Sequence, residues 1–161
     1  MSFDNNPLLD LTDLPRWADI QPEHVASAMQ VTLSRAREAM ATVMNLQVAE
    51  VNWDRFVEYL NDAIEPLSRV WGVVSHLHHV ADTDEWRAAY NEFLPQVTEF
   101  WTELGQNETI LAHYQTLAKE PMFSSLTPTR QRIVINALRD FELSGALLQG
   151  EARAEYAQLA S

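Results

Sequence analysis

The sequence predicts an all-α fold: an antiparallel array of about five to seven helices preceded by an extended N-terminal arm. Three observations carry this expectation. Apolar residues recur at spacings of three and four, and the period-two alternation of a half-buried strand is missing. Glycine occurs only four times in 161 residues, at Gly72, Gly105, Gly145 and Gly150, too sparsely for the turns of a sheet protein. Helix-start signals, a capping side chain or a proline ahead of an apolar run, recur along the chain.

Residues 1–21 read as the arm. Pro7, Pro15 and Pro22 break any helix there, while Leu8, Leu9, Leu11, Leu14 and Trp17 supply apolar anchors that would hold the segment across the body. The alternative, a disordered tail, sits poorly with that much apolar surface. Residues 22–161 read as one helical domain. Pro22 suits a first helical turn, and Glu23 falls at the positive end of the helix dipole. Val25, Met29, Leu33, Ala36, Met40 and Val43 then mark a helix to about Asn45. Asn52 is an N-cap for the next helix, which carries Phe56, Leu60, Ile64, Leu67, Trp71, Val74 and Leu77. Pro66 falls inside that pattern and predicts a kink or a division.

Asp82 and Glu85 resemble a capping box for a third helix through Trp86, Tyr90, Phe93, Val97, Phe100 or Trp101, and Leu104, ending at Gly105 and bent at Pro95. Asn107 caps a shorter helix with Ile110, Leu111, Tyr114 and Leu117. Glu120, Pro121 and Met122 read as a loop. Thr127-Pro128 opens another helix, with Ile133, Val134, Ala137, Leu138 and Phe141 on one side and Gly145 at its end. The last stretch, Glu151 to Ser161, has helical composition, and Tyr156 and Leu159 begin an apolar stripe on it.

Composition bounds the partners. The formal charge is −12, from 23 acidic and 11 basic residues, and Lys119 is the only lysine. Such a balance repels phosphate backbones and anionic bilayers, so neither nucleic acid nor a membrane is an expected partner. Cysteine is absent, which excludes disulfides and thiolate metal sites and fits a reducing compartment; the expected location is the cytoplasm. Asp4, Asp10 and Asp13 stand where a secretion signal needs a basic start and an apolar run.

A search for chemistry finds little. Zinc peptidases use two histidines one helical turn apart around a glutamate, in the pattern His-Glu-x-x-His. None of His24, His76, His78, His79 and His113 is followed by glutamate. Inward-facing Glu-x-x-His pairs, a glycine-rich phosphate loop and a Gly-x-Ser-x-Gly elbow are missing too. One cluster is suggestive: His76 and His79 share a helix face, with Asp82 a turn beyond. It could meet a metal ion, or simply place histidines at a helix end where positive charge is favoured. The stripe Trp86, Tyr90, Phe93, Trp101 could line a groove, although stripes at this spacing more often build core. Arg130, Arg132 and Arg139 form the one basic stretch, expected to pair with the chain's own carboxylates.

The run Asn136 to Gly145, Asn-Ala-Leu-Arg-Asp-Phe-Glu-Leu-Ser-Gly, closely resembles a segment of the thimet oligopeptidase family of zinc metallopeptidases. So do, in order, Asn6-Pro7-Leu8-Leu9, Leu14-Pro15, Ile20 to Val25, Val74 to Leu77, Arg87 to Tyr90, and Leu94-Pro95. The resemblance covers essentially the whole chain but corresponds to about the first quarter of such an enzyme. It implies a helical, two-lobed peptidase with a deep channel admitting short peptides, in which zinc-bound water attacks the peptide carbonyl and the motif glutamate is general base. The family's zinc site lies far downstream, so the resemblance carries over no catalytic, cofactor-binding or metal residue, and the isolated chain is expected to be inactive. Its implied role is to wall the channel. The implied partners are the rest of the same polypeptide and short peptides, with weak self-association through uncovered apolar surface. The competing expectation is a stand-alone helical binding protein derived from the same lobe.

Overall fold

In the computed structural model, residues 6–144 are described, and they are predominantly helical, with no strand among them. Gly145, Gly150 and the apolar stripe of Tyr156 and Leu159 lie outside the described residues. The helices are α1 (Glu23–Met44), α2 (Tyr59–Ala81), α3 (Asp84–Gly105), α4 (Glu108–Leu117), a single turn α5 (Met122–Ser125) and α6 (Pro128–Leu143). α1, α2 and α3 pack on one another, and α4 pairs with α6 while touching α1. Only Asp82 and Thr83 separate α2 from α3, so the chain must reverse there and the two helices run antiparallel.

The three-and-four spacing becomes burial. Val25, Ala28, Met29, Leu33, Ala36 and Val43 of α1 face Phe56, Leu60, Leu67, Val70 and Val74, and all of these are in the core. Phe93, Val97 and Phe100 of α3 close it on a third side. Each large apolar side chain taken from water contributes about 1.5–3 kcal/mol. That outweighs the roughly 3 kcal/mol cost of a proline inside a helix. Pro66 and Pro95 accordingly sit inside unbroken helices, flanked by buried Ile64 and Leu67 and by buried Phe93 and Val97. Of the two expectations at Pro66, a kink or a division, the division does not occur, and α3 likewise continues through Pro95.

Local signals resolve as follows. Asn52 caps as expected, accepting from the Arg55 N–H at 3.0 Å. The turn it opens is a π-helix, Trp53–Glu58, that leads into α2. The cap of α3 is Thr83, not Asp82: its hydroxyl accepts from the Trp86 N–H at 3.4 Å. Asp82 ends α2 in a left-handed conformation, φ 46°, which its short polar side chain tolerates better than most. Asn107 and Thr127 cap α4 and α6 as predicted. Asn107→Ala should cost about 1 kcal/mol, read as a lower urea midpoint at unchanged m-value; an unchanged midpoint would rule the cap out as a stabilising contact. Met122, expected in a loop, instead starts α5.

The arm from Asn6 onward is not extended throughout. Asn6 accepts from the Leu8 N–H, and Pro7–Leu9 forms a short 3-10 turn. Leu8 and Ile20 are the buried anchors, whereas Leu14 is 81% exposed and Trp17 is 46% exposed. The sequence reading weighted all the leucines alike; the turn at Pro7 sends Leu8 inward, and bends through residues 12–14 leave Leu14 outside. Arg69 fastens this stretch, donating to the carbonyls of Leu11 at 2.9 Å and Asp13 at 3.1 Å.

Candidate functional site

Four helices converge on a groove of about 410 Å³. α2 supplies Leu60, Asn61 and Ile64; α3 supplies Trp101, Leu104 and Gly105; Ile110 and Tyr114 come from α4. The last turns of α6 complete it with Ala137, Asp140, Phe141 and Ser144. Local bonding sets this geometry. The Ser144 hydroxyl donates to the Gly105 carbonyl at 2.8 Å, tying the end of α6 to the end of α3. Tyr114 stands edge-on to Phe56, ring centres 4.8 Å apart, and near Phe141 at 6.1 Å. Burial pushes the Tyr114 phenol up to about 12, so it keeps its proton and remains a donor at neutral pH.

The lining is apolar and aromatic, with Asn61, Asp140 and Ser144 as its polar side chains outside the Tyr114 phenol. Among the described residues, Asp140 is its only charged member. That carboxylate lies 3.2 Å from the guanidinium of Arg139, and both side chains are more than half exposed. An exposed pair of this kind is weak and easily exchanged. The arrangement can bind; among the described lining residues no nucleophile is paired with a base.

The aromatic stripe of α3 divides between the two roles weighed for it. Trp86 and Phe93 are core. Tyr90 stacks on Trp71, ring centres 4.8 Å apart. Trp101 reaches the groove.

The histidine cluster is not gathered into a metal centre. His76 packs against Trp17, ring centres 5.1 Å apart. His79 Nδ1 lies 2.6 Å from the Ser75 carbonyl. Asp82 pairs with Arg87 instead. Among the described residues, no three histidine, aspartate or glutamate side chains are placed to hold a metal ion. His24 Nδ1 accepts from the Gln21 N–H, and buried His113 bonds through Nε2 to the Val43 carbonyl at 3.0 Å, clasping α4 to the end of α1. Arg130 lies over the Trp53 ring at 4.7 Å and within 3.8–3.9 Å of Asp54 and Glu58, so it pairs with the chain's own carboxylates.

Sequence reasoning missed Asn61, Tyr114 and Asp140 as groove residues. Trp101, one position past buried Phe100 and off the inward face, was the available signal.

Comparison with known proteins places this architecture. The profile of the N-terminal domain of neurolysin/thimet oligopeptidase matches residues 29–153. Oligopeptidase A of Escherichia coli (strain K12) is 36% identical over 156 residues, 97% of this chain and 23% of its own length. A probable cytosolic oligopeptidase A of Arabidopsis thaliana is 32% identical over 96% of this chain and 22% of its own. An organellar oligopeptidase A of the same plant, chloroplastic/mitochondrial by name, is 32% identical over 96% of this chain and 19% of its own. The chain thus spans about a quarter or less of the length of these relatives.

Proposed function

The chain belongs to the neurolysin/thimet oligopeptidase family, and from that premise we propose that it forms the N-terminal helical part of a peptidase that hydrolyses short peptides. In this reading it walls the substrate channel and leaves the chemistry to a catalytic region on the same polypeptide. One observation carries the reading: the match is to the family's N-terminal domain and covers 97% of this chain but 23% of the bacterial relative.

The metal belongs, in this proposal, to the catalytic region. The donors here do not fit zinc, since His76, His79 and Asp82 are each engaged elsewhere and the described residues offer no other ligand set. Exposed apolar side chains support a surface built to be covered: Leu14 and Trp17 on the arm, Ile135 and Leu143 on α6. The proposed compartment is the cytoplasm, on the cysteine-free sequence and the cytosolic relative; no described helix is long and apolar enough to cross a membrane.

Two measurements test this. A natural reading frame that runs several hundred codons past Ser161 and encodes His-Glu-x-x-His is the expected result; a stop codon directly after Ser161 would favour the stand-alone binding protein. The purified chain should leave a fluorogenic peptide intact with or without added zinc. Chelator-sensitive cleavage by pure material would overturn the division of labour.

A further inference from the structure

We propose that the groove between α2, α3, α4 and α6 binds a basic side chain of a short peptide, with an apolar neighbour seated beside it. This rests on the peptide-handling reading above and deepens it by naming a site and a charge preference.

The chemistry of the lining selects the occupant. Trp101, Tyr114 and Phe141 line one groove with Asp140, and among the described residues no arginine, lysine or histidine lines it. Aromatic faces attract cations through their quadrupoles, more strongly as water is excluded. A carboxylate beside them adds a charge-assisted hydrogen bond for a guanidinium or ammonium. An anionic side chain would meet Asp140 and the field of a molecule carrying −12. The apolar walls from Leu60, Ile64 and Ile110 suit an aliphatic or aromatic neighbour of the basic residue. At about 410 Å³ the space falls within the range of ligand pockets, and it opens to the surface, where an extended peptide can lie across it. The exposed Arg139 now beside Asp140 is a weak partner, which an incoming cation held by aromatic faces replaces.

The test uses the full 161-residue chain. A tripeptide of phenylalanine, arginine and leucine, blocked at both ends, is titrated by calorimetry and tryptophan fluorescence at low salt. Its counterpart carries glutamate in place of arginine. The arginine peptide should bind at least about tenfold more tightly, with a preference that shrinks as salt rises. Asp140→Asn should remove most of that preference. Gly105→Leu supplies the decisive control: a Cβ at Gly105 meets nothing within 4 Å, so the added side chain occupies groove space without changing charge. It should abolish binding at unchanged helicity; Ala137→Leu serves the same purpose should Gly105→Leu lose helicity. Equal affinity for the two peptides overturns the proposal. So does binding that survives groove filling, which would assign it to diffuse attraction by an acidic molecule. Either failure leaves the reading-frame result, and with it the channel-wall reading, untouched.

Discussion

Phe56→Ala should lower the stability of the chain by about 3–5 kcal/mol, the range for emptying a fully buried aromatic site. Phe56 has no exposed surface and stands where three parts of the molecule meet. It lies in the π-helix that opens the second long helix, and its ring is edge-on to His113 at 5.3 Å and Tyr114 at 4.8 Å, both on α4. His113 in turn is bonded to the Val43 carbonyl at the end of α1. Truncation therefore opens a cavity under α4, and little around it can collapse to fill the space. At about 2–4 °C per kcal/mol for a chain of this size, thermal unfolding followed by circular dichroism should shift down by roughly 10 °C. A shift of a degree or less would mean that α4 is not held by this contact. Because Tyr114 backs the groove, the same variant should also lose peptide binding.

Leu8→Ala should cost about 2 kcal/mol, at the low end of the range for buried leucine because the arm lies at the edge of the core and can settle into the space. Leu8 is 3% exposed and is the apolar anchor nearest the start of the described chain. Beside buried Ile20 and the Trp17–His76 ring contact, the arm has polar attachments: Asn6 bonds to the His24 carbonyl and to Ser27, and Arg69 donates to the Leu11 and Asp13 carbonyls. Combining Leu8→Ala with Arg69→Ala should free the arm while the helices stay folded. Limited proteolysis should then cut within residues 10–17 much faster than in the wild type, at nearly unchanged helical signal. Equal cleavage rates for the double variant and the wild type would show that the arm is held by something else.

Helix periodicity was the legible part of the sequence. Val25 through Val43, Phe56 through Val74 and Phe93 through Phe100 each became a buried face because a repeat of three and four can satisfy only one backbone geometry. Caps were legible where one side chain decides, as at Asn52, Asn107 and Thr127, and ambiguous where two capping residues stood together. Asp82 and Thr83 both qualify by chemistry, and the left-handed turn that gives the cap to Thr83 is a consequence of reversing the chain between packed helices. The prolines were legible only in part: their local cost signals a kink or a division, and the tertiary burial that keeps the helices unbroken is not a local signal. The groove was the least legible feature. Leu60, Trp101, Tyr114 and Asp140 are far apart in sequence, and their meeting depends on how four helices cross. Family membership, by contrast, was carried by the Asn136–Gly145 run and its ordered companions, signals of descent that periodicity alone does not contain.

The π-helix at Trp53–Glu58 bears on how this chain tolerates change in its length. A turn closed by i→i+5 bonds holds one residue more than an ordinary α-turn. Deleting one residue between Trp53 and Glu58 would let that turn relax to i→i+4 bonding and leave Tyr59 onward in register. The same deletion within α2 would rotate every later side chain by about 100° and carry Leu67, Val70 and Val74 out of the core. The segment is thus a natural indel buffer. Among relatives, single-residue gaps should gather there and be scarce along Tyr59–Ala81.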